Sequence, residues 1–371
     1  MLIVSIDYSA RIQRAQRLLA DSGFAGLVAS PGREFRFFTA KALDTHERLS
    51  ALVIPAHGDP VLVIPEVDAH EAPSFLPVRG WLDGQDPYEM VKQALSAADP
   101  RAPLALSEQM PLSHAAHFMD REIHGVDSVL PELSVVKDAA EIAWLAEAAG
   151  AIDAVHAQVP ALLQEGVSER AIADQLHKLI LDAGHSSVDF VIVGSGPNGA
   201  NPHHSFSERT LRAGDIVVVD IGGTMPSGYH SDCTRTYAVG QIEPEVAEMY
   251  AVLEQAQRAA VAAITPGVTA AEIDAAAREI IEAAGYGDAF FHRTGHGIGL
   301  EVHEQPFIIA GNDLPVRPGM CFSVEPGIYL RGRFGARIED IVAVDDDGVR
   351  VLNTRPRSLY PDSSGAHPED H

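Results

Sequence analysis

The feature that most constrains how this chain can fold is an internal duplication in its second half. Residues 166–184 and residues 267–285 are equal in length, and each stretch begins with Gly-Val and ends with Ala-Gly. Each predicts a helix with a hydroxyl residue as its N-terminal cap and a glycine at its end. The segments 212–220 and 317–325 follow the two helices, and in both a turn glycine precedes a carboxylate that ends an apolar strand. This matching order predicts two helix-plus-hairpin units that face each other across a pseudo-twofold axis.

The first part of the chain has a different organisation. Short apolar runs of strand length alternate there with helical patterns, which is typical of an α/β domain. We therefore predict a first domain at residues 1–132 and the duplicated domain at residues 133–353. The stretch at residues 354–371 is polar and rich in proline and serine, and we expect it to be a mobile C-terminal tail.

Charge and cysteine content narrow the class of protein. The chain has 371 residues and a net charge of −25, which argues against nucleic acid and anionic membranes as partners, because their phosphates attract basic surfaces. Its two cysteines cannot form a framework of several disulfides. The N-terminal residues lack the pattern of a secretion signal, and no stretch reaches the ~20 apolar residues of a membrane helix. We therefore expect a cytoplasmic protein.

Five acidic or imidazole side chains in the duplicated domain form a candidate metal site. They are Asp220, Asp232, His296, Glu325 and Glu339. Taken alone, Asp220 can cap a turn, Glu325 can end a strand, and Glu339 can pair with a nearby arginine. Taken together, four carboxylates at the ends of apolar strands need a cation between them, because burying unpaired like charges is costly. Two divalent ions about 3.5–4 Å apart meet that need, and this ligand chemistry suits Mn²⁺, Co²⁺, Fe²⁺ or Zn²⁺.

Five short motifs in this region carry a family resemblance. They are Val219-Asp-Ile-Gly222, Ser231-Asp-Cys-Thr-Arg-Thr236, Thr294-Gly-His-Gly-Ile-Gly299, Val324-Glu-Pro-Gly-Ile-Tyr329 and Arg337-Ile-Glu-Asp340. With them, residues 138–352 resemble the pita-bread metallopeptidases, which include methionine aminopeptidase, aminopeptidase P, prolidase and creatinase. The first domain looks like the extra domain of creatinase and of the proline-directed members. The resemblance implies an α/β protein in which a creatinase-like α/β domain precedes a pita-bread catalytic domain.

The resemblance implies a centre with two divalent metal ions, for which Mn²⁺ is the first choice and Co²⁺, Zn²⁺ or Fe²⁺ are alternatives. Asp220 would chelate one ion. Asp232 and Glu339 would bridge both ions. His296 and Glu325 would hold the second ion, and a water or hydroxide between the ions would be the nucleophile.

The resemblance also implies three catalytic side chains. Glu325 would act as general base and proton shuttle. His203 and His303 would bind the substrate, and His203 would stabilise the oxyanion of the tetrahedral intermediate. His204 is the adjacent alternative to His203, and the register along the chain favours His203. Two further residues would support the ligands: His292 and Arg337.

Two features depart from the family pattern. Asp220 and Asp232 are twelve residues apart, whereas eleven is usual, so an extra residue must be absorbed at the hairpin tip or in a bulge. If it were absorbed in the strand, Asp232 would point to the wrong face. Prolidase-like members often carry an arginine just after the His-Glu-x-Pro stretch, where it binds the carboxylate of a dipeptide. Here Phe307 follows that stretch, and Arg331 and Arg333 are the candidates to replace the arginine.

The sequence therefore predicts a metallo-exopeptidase that hydrolyses Xaa-Pro bonds in small peptides with proline at the second position. The motifs favour a dipeptidase of the prolidase type, while Phe307 favours an aminopeptidase P that acts on longer Xaa-Pro-Yaa peptides. A metal-free creatinase-like amidinohydrolase and a non-catalytic peptide-binding relative are alternatives of another class. The complete ligand set argues against both. From the resemblance we expect a homodimer.

Overall fold

The protein divides into two compact units, Met1–Ser134 and Val135–His371, in a computed structural model that describes residues 6–43 and 47–360. The division lies close to the predicted boundary between residues 132 and 133. Within the described ranges, none of the helices combines the length and apolar character that crossing a bilayer requires.

The first unit is built on a six-stranded mixed sheet. Its strands are β1 (Gly26–Ala29), β2 (Ala51–Pro55), β3 (Val61–Pro65), β4 (Val78–Trp81), β5 (Leu104–Leu106) and β6 (Ile123–Gly125). Its helices are α1 (Tyr8–Asp21), α2 (Arg33–Thr39), α3 (Pro87–Ala94), α4 (Leu112–Ala115), α5 (Val126–Val129) and α6 (Pro131–Val135). The strand order is β4-β3-β2-β1-β5-β6, and β1 pairs antiparallel with β2 and parallel with β5. This architecture confirms the predicted α/β class of the first domain.

The second unit contains five α-helices and ten strands among its described residues. The helices are α7 (Ala139–His156), α8 (Val159–Leu162), α9 (Glu169–Asp182), α10 (Pro244–Ala263) and α11 (Ala270–Ala283). The strands are β7 (Ser187–Ser195), β8 (Ile216–Thr224), β9 (His230–Ala238), β10 (Gly295–Gly297), β11 (Glu304–Ile308), β12 (Cys321–Val324), β13 (Gly327–Leu330), β14 (Phe334–Arg337), β15 (Asp340–Asp345) and β16 (Gly348–Val351). They form three sheets with the orders β7-β8-β9, β11-β10-β12-β15-β16 and β13-β14.

The two halves of this unit repeat the same backbone contacts. Helices α9 and α11 are both 14 residues long and are capped by Ser168 and Thr269. Just before the caps, the N–H of Gly166 donates to the carbonyl of Leu211 at 2.9 Å, and the N–H of Gly267 donates to a matching carbonyl at 2.8 Å. Each cap residue also forms an isolated β-bridge to the segment that precedes the apolar strand of the same half, β8 in the first half and β12 in the second. These contacts confirm the predicted duplication.

The β8–β9 hairpin absorbs the extra residue between the two aspartates in its turn. Its register is uninterrupted, and Gly222 lies opposite Asp232. Because residues two apart on a strand share a face, Asp220 and Asp232 face the same side of the sheet. The turn is closed by the N–H of Met225, which donates to the carbonyl of Tyr229 at 2.9 Å.

The segment after β16 is held against the second unit. The hydroxyl of Thr354 donates to the buried carboxylate of Asp153 at 3.0 Å. The buried guanidinium of Arg235 donates to the carbonyl of Arg355 at 2.9 Å. These hydrogen bonds lie at the start of the stretch predicted as a mobile tail, and the mobility of that tail stays a prediction. Residues 361–371 lie outside the described residues.

Candidate metal centre

A cavity of about 650 Å³ in the second unit is lined by all five predicted metal ligands. The ligands come from separate strands or strand ends. Asp220 lies on β8, Asp232 on β9 and His296 on β10. Glu325 follows β12, and Glu339 lies between β14 and β15. Both halves of the duplication therefore contribute carboxylates to one cavity.

The ligand atoms of three of these residues meet closely. Those of Asp232, His296 and Glu339 lie within 4.8 Å of one another. His296 Nε2 is 3.1 Å from Glu325 Oε1 and 3.6 Å from Asp232 Oδ2. His296 Nδ1 lies 3.1 Å from the carbonyl of Gly297, to which it donates. In the neutral ring this hydrogen bond leaves the lone pair of Nε2 facing the carboxylates, as a metal ligand requires.

The electrostatics of the cavity fit a divalent cation. Burial, followed by the nearby carboxylates of Glu339 and Asp220, raises the pKa of Asp232 well above its ordinary value. Burial and the charges of Glu325 and Asp220 do the same to the pKa of Glu339. Among the described residues, Asp220 Oδ1 is buried and has no hydrogen-bond partner. A divalent ion would satisfy that oxygen and remove the repulsion between the carboxylates.

Arg337 and Thr234 fix the orientation of two ligands. Arg337 donates to Asp220 Oδ2 at 2.5 Å, to the Tyr329 hydroxyl at 2.8 Å and to Thr234 Oγ1 at 3.0 Å. Thr234 Oγ1 in turn donates to Glu339 Oε2 at 2.8 Å. The ion pair of Arg337 is therefore with Asp220. Sequence reasoning named Arg337 but missed Thr234 and Tyr329, although both lie inside the quoted motifs.

His292 and His303 are two of the three further histidines that line the cavity beside the ligands. The ring of His303 is 4.2 Å from that of His296, and burial, followed by the charges of His296 and Arg293, lowers the pKa of His303 to about 4. His292 Nδ1 donates to the carbonyl of Arg293 at 2.7 Å, so the neutral ring accepts at Nε2 from the Tyr329 hydroxyl at 3.0 Å. Burial lowers the pKa of His292 as well. Both rings are therefore neutral near pH 7.

The structure separates the two adjacent histidines of the first half. His203 lines the metal cavity, and His204 is not among the residues that line it. Instead, His204 Nε2 lies 2.9 Å from the carboxylate of Glu169. The position of His203 is thus suited to the predicted contact with substrate, and the role itself stays a prediction.

Apolar walls of the cavity were missed from the sequence. They are formed by Phe190, Ile192, Phe291 and Ile309. Ile192 lies opposite Asp220 in the β7–β8 ladder, and Phe190 lies opposite Gly222. Residues that lie opposite each other in a sheet point to the same face. Once the strand pairing is known, Phe190 and Ile192 are therefore expected on the face that carries Asp220.

An arginine that the sequence did not single out also lines the cavity. The guanidinium of Arg293 lies 4.6 Å from the centre of the Phe307 ring, and it has no acidic partner in residues 6–43 and 47–360. Of the two arginines named from the sequence, Arg333 pairs with Glu245 at 2.6 Å on the surface. Arg331 lines a neighbouring cavity of about 610 Å³.

Comparisons with known proteins place these observations in a family. Residues 143–346 match the model of metallopeptidase family M24. The chain is 49% identical over 362 residues to a probable dipeptidase PepE of Mycobacterium tuberculosis, covering 95% of this chain and 96% of the relative. It is 35% identical to an Xaa-Pro dipeptidase of Lactobacillus helveticus, covering 94% and 98%. A solved prolidase structure from Thermococcus sibiricus has a TM-score of 0.88 and 38% identity, covering 96% of this chain and 99% of that one.

Proposed function

Because the chain belongs to metallopeptidase family M24, we propose that it is a metal-dependent exopeptidase that hydrolyses Xaa-Pro dipeptides. The observation that carries this proposal is the cluster of Asp232, His296 and Glu339 beside the unpartnered oxygen of Asp220. A buried group of carboxylates without a cation is unfavourable, so the cluster supports a metal site rather than a structural role. The similarity to an Xaa-Pro dipeptidase and to a prolidase supports the substrate class.

Two divalent ions, with Mn²⁺ as the first choice, would supply Lewis-acid activation of water and of the scissile carbonyl. Asp220, Asp232, His296, Glu325 and Glu339 would hold these ions. The hydrogen bonds from Arg337 and Thr234 keep the carboxylates in the orientation that ligation needs.

Glu325 is the group proposed to move the proton. Its carboxylate lines the cavity, with Oε1 3.1 Å from His296 Nε2. A divalent ion bound beside Glu325 would keep this carboxylate ionised at neutral pH, so that it can accept a proton from the attacking water. Hydrolysis places the OH of water on the carbonyl carbon. The proton from Glu325 goes to the proline nitrogen, which as a tertiary amide carries no hydrogen of its own.

His303 and His203 are proposed to bind the substrate. A neutral His303 has an N–H that can donate to the oxyanion developing on the scissile carbonyl. His203 lines the same cavity, which supports a similar donation from its imidazole. Phe190 and Ile192 provide an apolar wall on the side of the sheet that carries Asp220. Such a wall suits the proline ring or the side chain before it.

Arg293 supports a preference for dipeptides. A dipeptide differs from a longer substrate in having its free carboxylate directly on the proline. The guanidinium of Arg293 lies over Phe307, which occupies the position where prolidase-like members often carry an arginine. Arg293 would thus supply, from the segment before β10, the positive charge that Phe307 lacks.

The neighbouring cavity favours a second candidate, an aminopeptidase P that acts on Xaa-Pro-Yaa peptides. This cavity of about 610 Å³ shares Pro202, His203, Phe291 and His292 with the metal cavity. It offers space for residues beyond the proline, and Arg331 lines it.

A metal-reconstituted assay tests the proposal. Purified protein is stripped with a chelator, reloaded with Mn²⁺, Co²⁺ or Zn²⁺, and assayed with Xaa-Pro, Xaa-Pro-Yaa and Met-Xaa peptides. We expect metal-dependent hydrolysis that is fastest on Xaa-Pro and is lost in Asp232→Ala and Glu339→Ala. Glu245→Ala, which removes an acid from the surface, should keep full activity.

Each contrary outcome identifies a different error. Cleavage of Met-Xaa peptides alone would contradict the substrate class. Activity that the chelator leaves untouched would support a creatinase-like reaction, and no turnover under any condition would support a binding protein. The homodimer and the cytoplasmic location stay predictions, to be checked by light scattering and cell fractionation.

A further inference from the structure

Glu169 is a buried carboxylate outside the proposed ligand set. It is the first residue of α9, directly after the cap Ser168, and it is 0% exposed. Acidic residues are favoured in the first turn of a helix, but they normally reach solvent. No lysine or arginine of the described chain forms an ion pair with it. Its charge therefore depends on hydrogen bonds and on His204.

The hydrogen bonds to this carboxylate come from one short segment, residues 195–207, called here the 195–207 loop. The donors are Ser195 N (2.8 Å), Ser195 Oγ (2.6 Å), Asn198 Nδ2 (3.0 Å), His204 Nε2 (2.9 Å), Ser207 N (2.9 Å) and Ser207 Oγ (2.7 Å). Ser195 and Ser207 are the two ends of the loop. One carboxylate thus accepts hydrogen bonds from both ends of the loop and holds those ends together.

The balance of forces keeps this carboxylate charged. Burial alone would raise the pKa of Glu169, but the hydrogen bonds from Ser195, His204 and Ser207 outweigh burial and lower it. The anion is therefore the form present at neutral pH, and it is the form that can accept every one of these hydrogen bonds.

The 195–207 loop carries two residues into the metal cavity, Pro202 and His203. In the described part of the chain, the imidazole of His203 has no hydrogen bond of its own. The backbone N–H of the same residue donates to Asn201 Oδ1 at 3.2 Å. The direction of the His203 side chain is therefore set by the loop that carries it.

The loop also packs tightly on β14. A Cβ added to Gly335 would lie 2.2 Å from the carbonyl oxygen of Gly199, so glycine is required for this approach. The carbonyl of Pro202 lies 3.5 Å from a guanidinium nitrogen of Arg337. The loop thus lies between the carboxylate of Glu169 and strand β14, which ends at Arg337.

The second half of the duplication serves as an internal control. The residue that corresponds to Glu169, directly after the cap Thr269, is Ala270. Helix α11 has the same length and also begins after a hydroxyl cap, and its own first-turn acid is Glu272, which forms a capping box that α9 lacks. The helix-plus-hairpin unit therefore forms without this acid. The contacts of Glu169 with the 195–207 loop are therefore what sets this acid apart from Ala270.

We propose that Glu169 is a positioning residue that closes the 195–207 loop and thereby holds His203 over the metal cavity, where it acts on the substrate. This inference rests on the proposed function. It predicts that Glu169 and His203 act as one unit, although Glu169 itself does not line the cavity.

A double-mutant cycle tests this coupling. In Glu169→Gln the amide nitrogen would face hydrogen-bond donors, so the 195–207 loop should loosen. We expect kcat/KM for Xaa-Pro to fall on the order of 100-fold, the loss that a displacement of a catalytic group by ~1 Å can cause. In the His203→Ala background, the same substitution should cause no further loss. Losses that multiply in the double variant would overturn the proposal.

A matched control separates positioning from general destabilisation. Asp153 is also buried and also accepts hydrogen bonds from a distant segment, through Asn353 and Thr354. Asp153→Asn should lower Tm and leave kcat/KM unchanged. If it lowers kcat/KM as much as Glu169→Gln does, the effect of Glu169 is merely structural and the proposal fails.

Hydrogen exchange of the metal-free protein gives a readout independent of activity. In Glu169→Gln the amides of residues 196–206 should exchange faster, while those of β8 and β9 stay protected. Unchanged exchange in the loop overturns the proposal. Should Glu169→Gln fail to fold, Ser207→Ala removes one donor and should cause a smaller loss in the same direction. A wild type inactive on Xaa-Pro peptides would instead refute the proposed function, and the exchange result would still stand.

Discussion

Arg293 brings a positive charge into a cavity otherwise dominated by carboxylates. If it holds the substrate's carboxylate, Arg293→Gln should raise KM for Xaa-Pro by about 10- to 100-fold, since a hydrogen-bonded charge contributes ~1.5–3 kcal/mol. KM for the corresponding Xaa-Pro amide should not change, because the amide lacks that charge. Steady-state kinetics on both substrates measure the difference.

Arg333 offers the matched control for this experiment. Its guanidinium pairs with Glu245 on the surface, so Arg333→Gln should leave KM for both substrates as in the wild type. Equal effects of Arg293→Gln on the dipeptide and its amide would mean that another group recognises the carboxylate.

His156 links the stability of the fold to pH. It is fully buried, its Nε2 donates to the Cys233 carbonyl at 3.0 Å, and its Nδ1 lies 2.9 Å from the Tyr237 hydroxyl. Burial, followed by the charge of Arg235, lowers its pKa to about 3. The folded state therefore disfavours the protonated ring. Its stabilising contribution is complete above the unfolded pKa of about 6.5 and declines as pH falls from there towards about 3.

This linkage predicts a loss of ~2 kcal/mol in the free energy of unfolding between pH 7.5 and pH 5 from this one group. Urea unfolding at the two pH values measures the loss. His156→Gln, which cannot be protonated, should show a correspondingly smaller difference between them. An unchanged difference in the variant would assign the pH dependence to other groups.

At the scale of secondary-structure elements, residues 353–360 after β16, called here the strap, are held to the second unit by hydrogen bonds. The fixed acceptor for Thr354 is Asp153 on α7, and Arg235 on β9 donates to the carbonyl of Arg355. Removing the segment would take away the hydrogen bonds that Asp153 accepts from Asn353 and Thr354, and an unpartnered buried carboxylate costs several kcal/mol. Arg235 would keep its ion pair with Asp340.

Two truncations test the role of this segment. Ending the chain at residue 352 should lower the free energy of unfolding by about 3 kcal/mol or more. Ending it at residue 360 keeps the anchoring hydrogen bonds and should leave the value unchanged. Thermal denaturation of the metal-free proteins compares them, and equal Tm values for both truncations would show that the strap contributes little.

The turn of the β8–β9 hairpin shows which details a sequence can give at this scale. The spacing of Asp220 and Asp232 predicted an extra residue, and the turn chemistry indicated that it lies at the hairpin tip or in a bulge. The choice between those two places depends on the ladder register, which the strand pairing alone reveals. Local patterns therefore located the irregularity, and tertiary pairing fixed its consequence for the face of Asp232.

For the whole molecule, metal binding should stabilise the second unit selectively. At a free Mn²⁺ concentration 100 times Kd, the native state gains about 2.7 kcal/mol. Hydrogen exchange with and without Mn²⁺ should therefore show slower exchange in β8, β9, β12 and β15, with the strands of the first unit unaffected. Asp232→Ala should abolish the difference, and equal protection of both units would contradict a site confined to the second.

The sequence indicated the duplication, the two-unit architecture and the five candidate ligands that line the metal cavity. It could do so because each candidate ligand stands in a short motif at a strand end. It could not indicate Arg293, Glu169 or Asp153, whose importance lies in contacts with no local signal. Asp153, for example, meets a partner 200 positions away in the chain.

The wide spread of the candidate ligands along the chain has a consequence for how the protein matures. Asp220 and Glu339 belong to opposite halves of the duplication, and Thr234 reaches Glu339 across 105 positions. During synthesis the full set of ligands therefore cannot assemble until nearly the whole chain has left the ribosome. Contacts between such distant residues also slow folding. Completion of the metal site should thus be a late step of folding, because the two halves must pair before one cavity holds all five ligands.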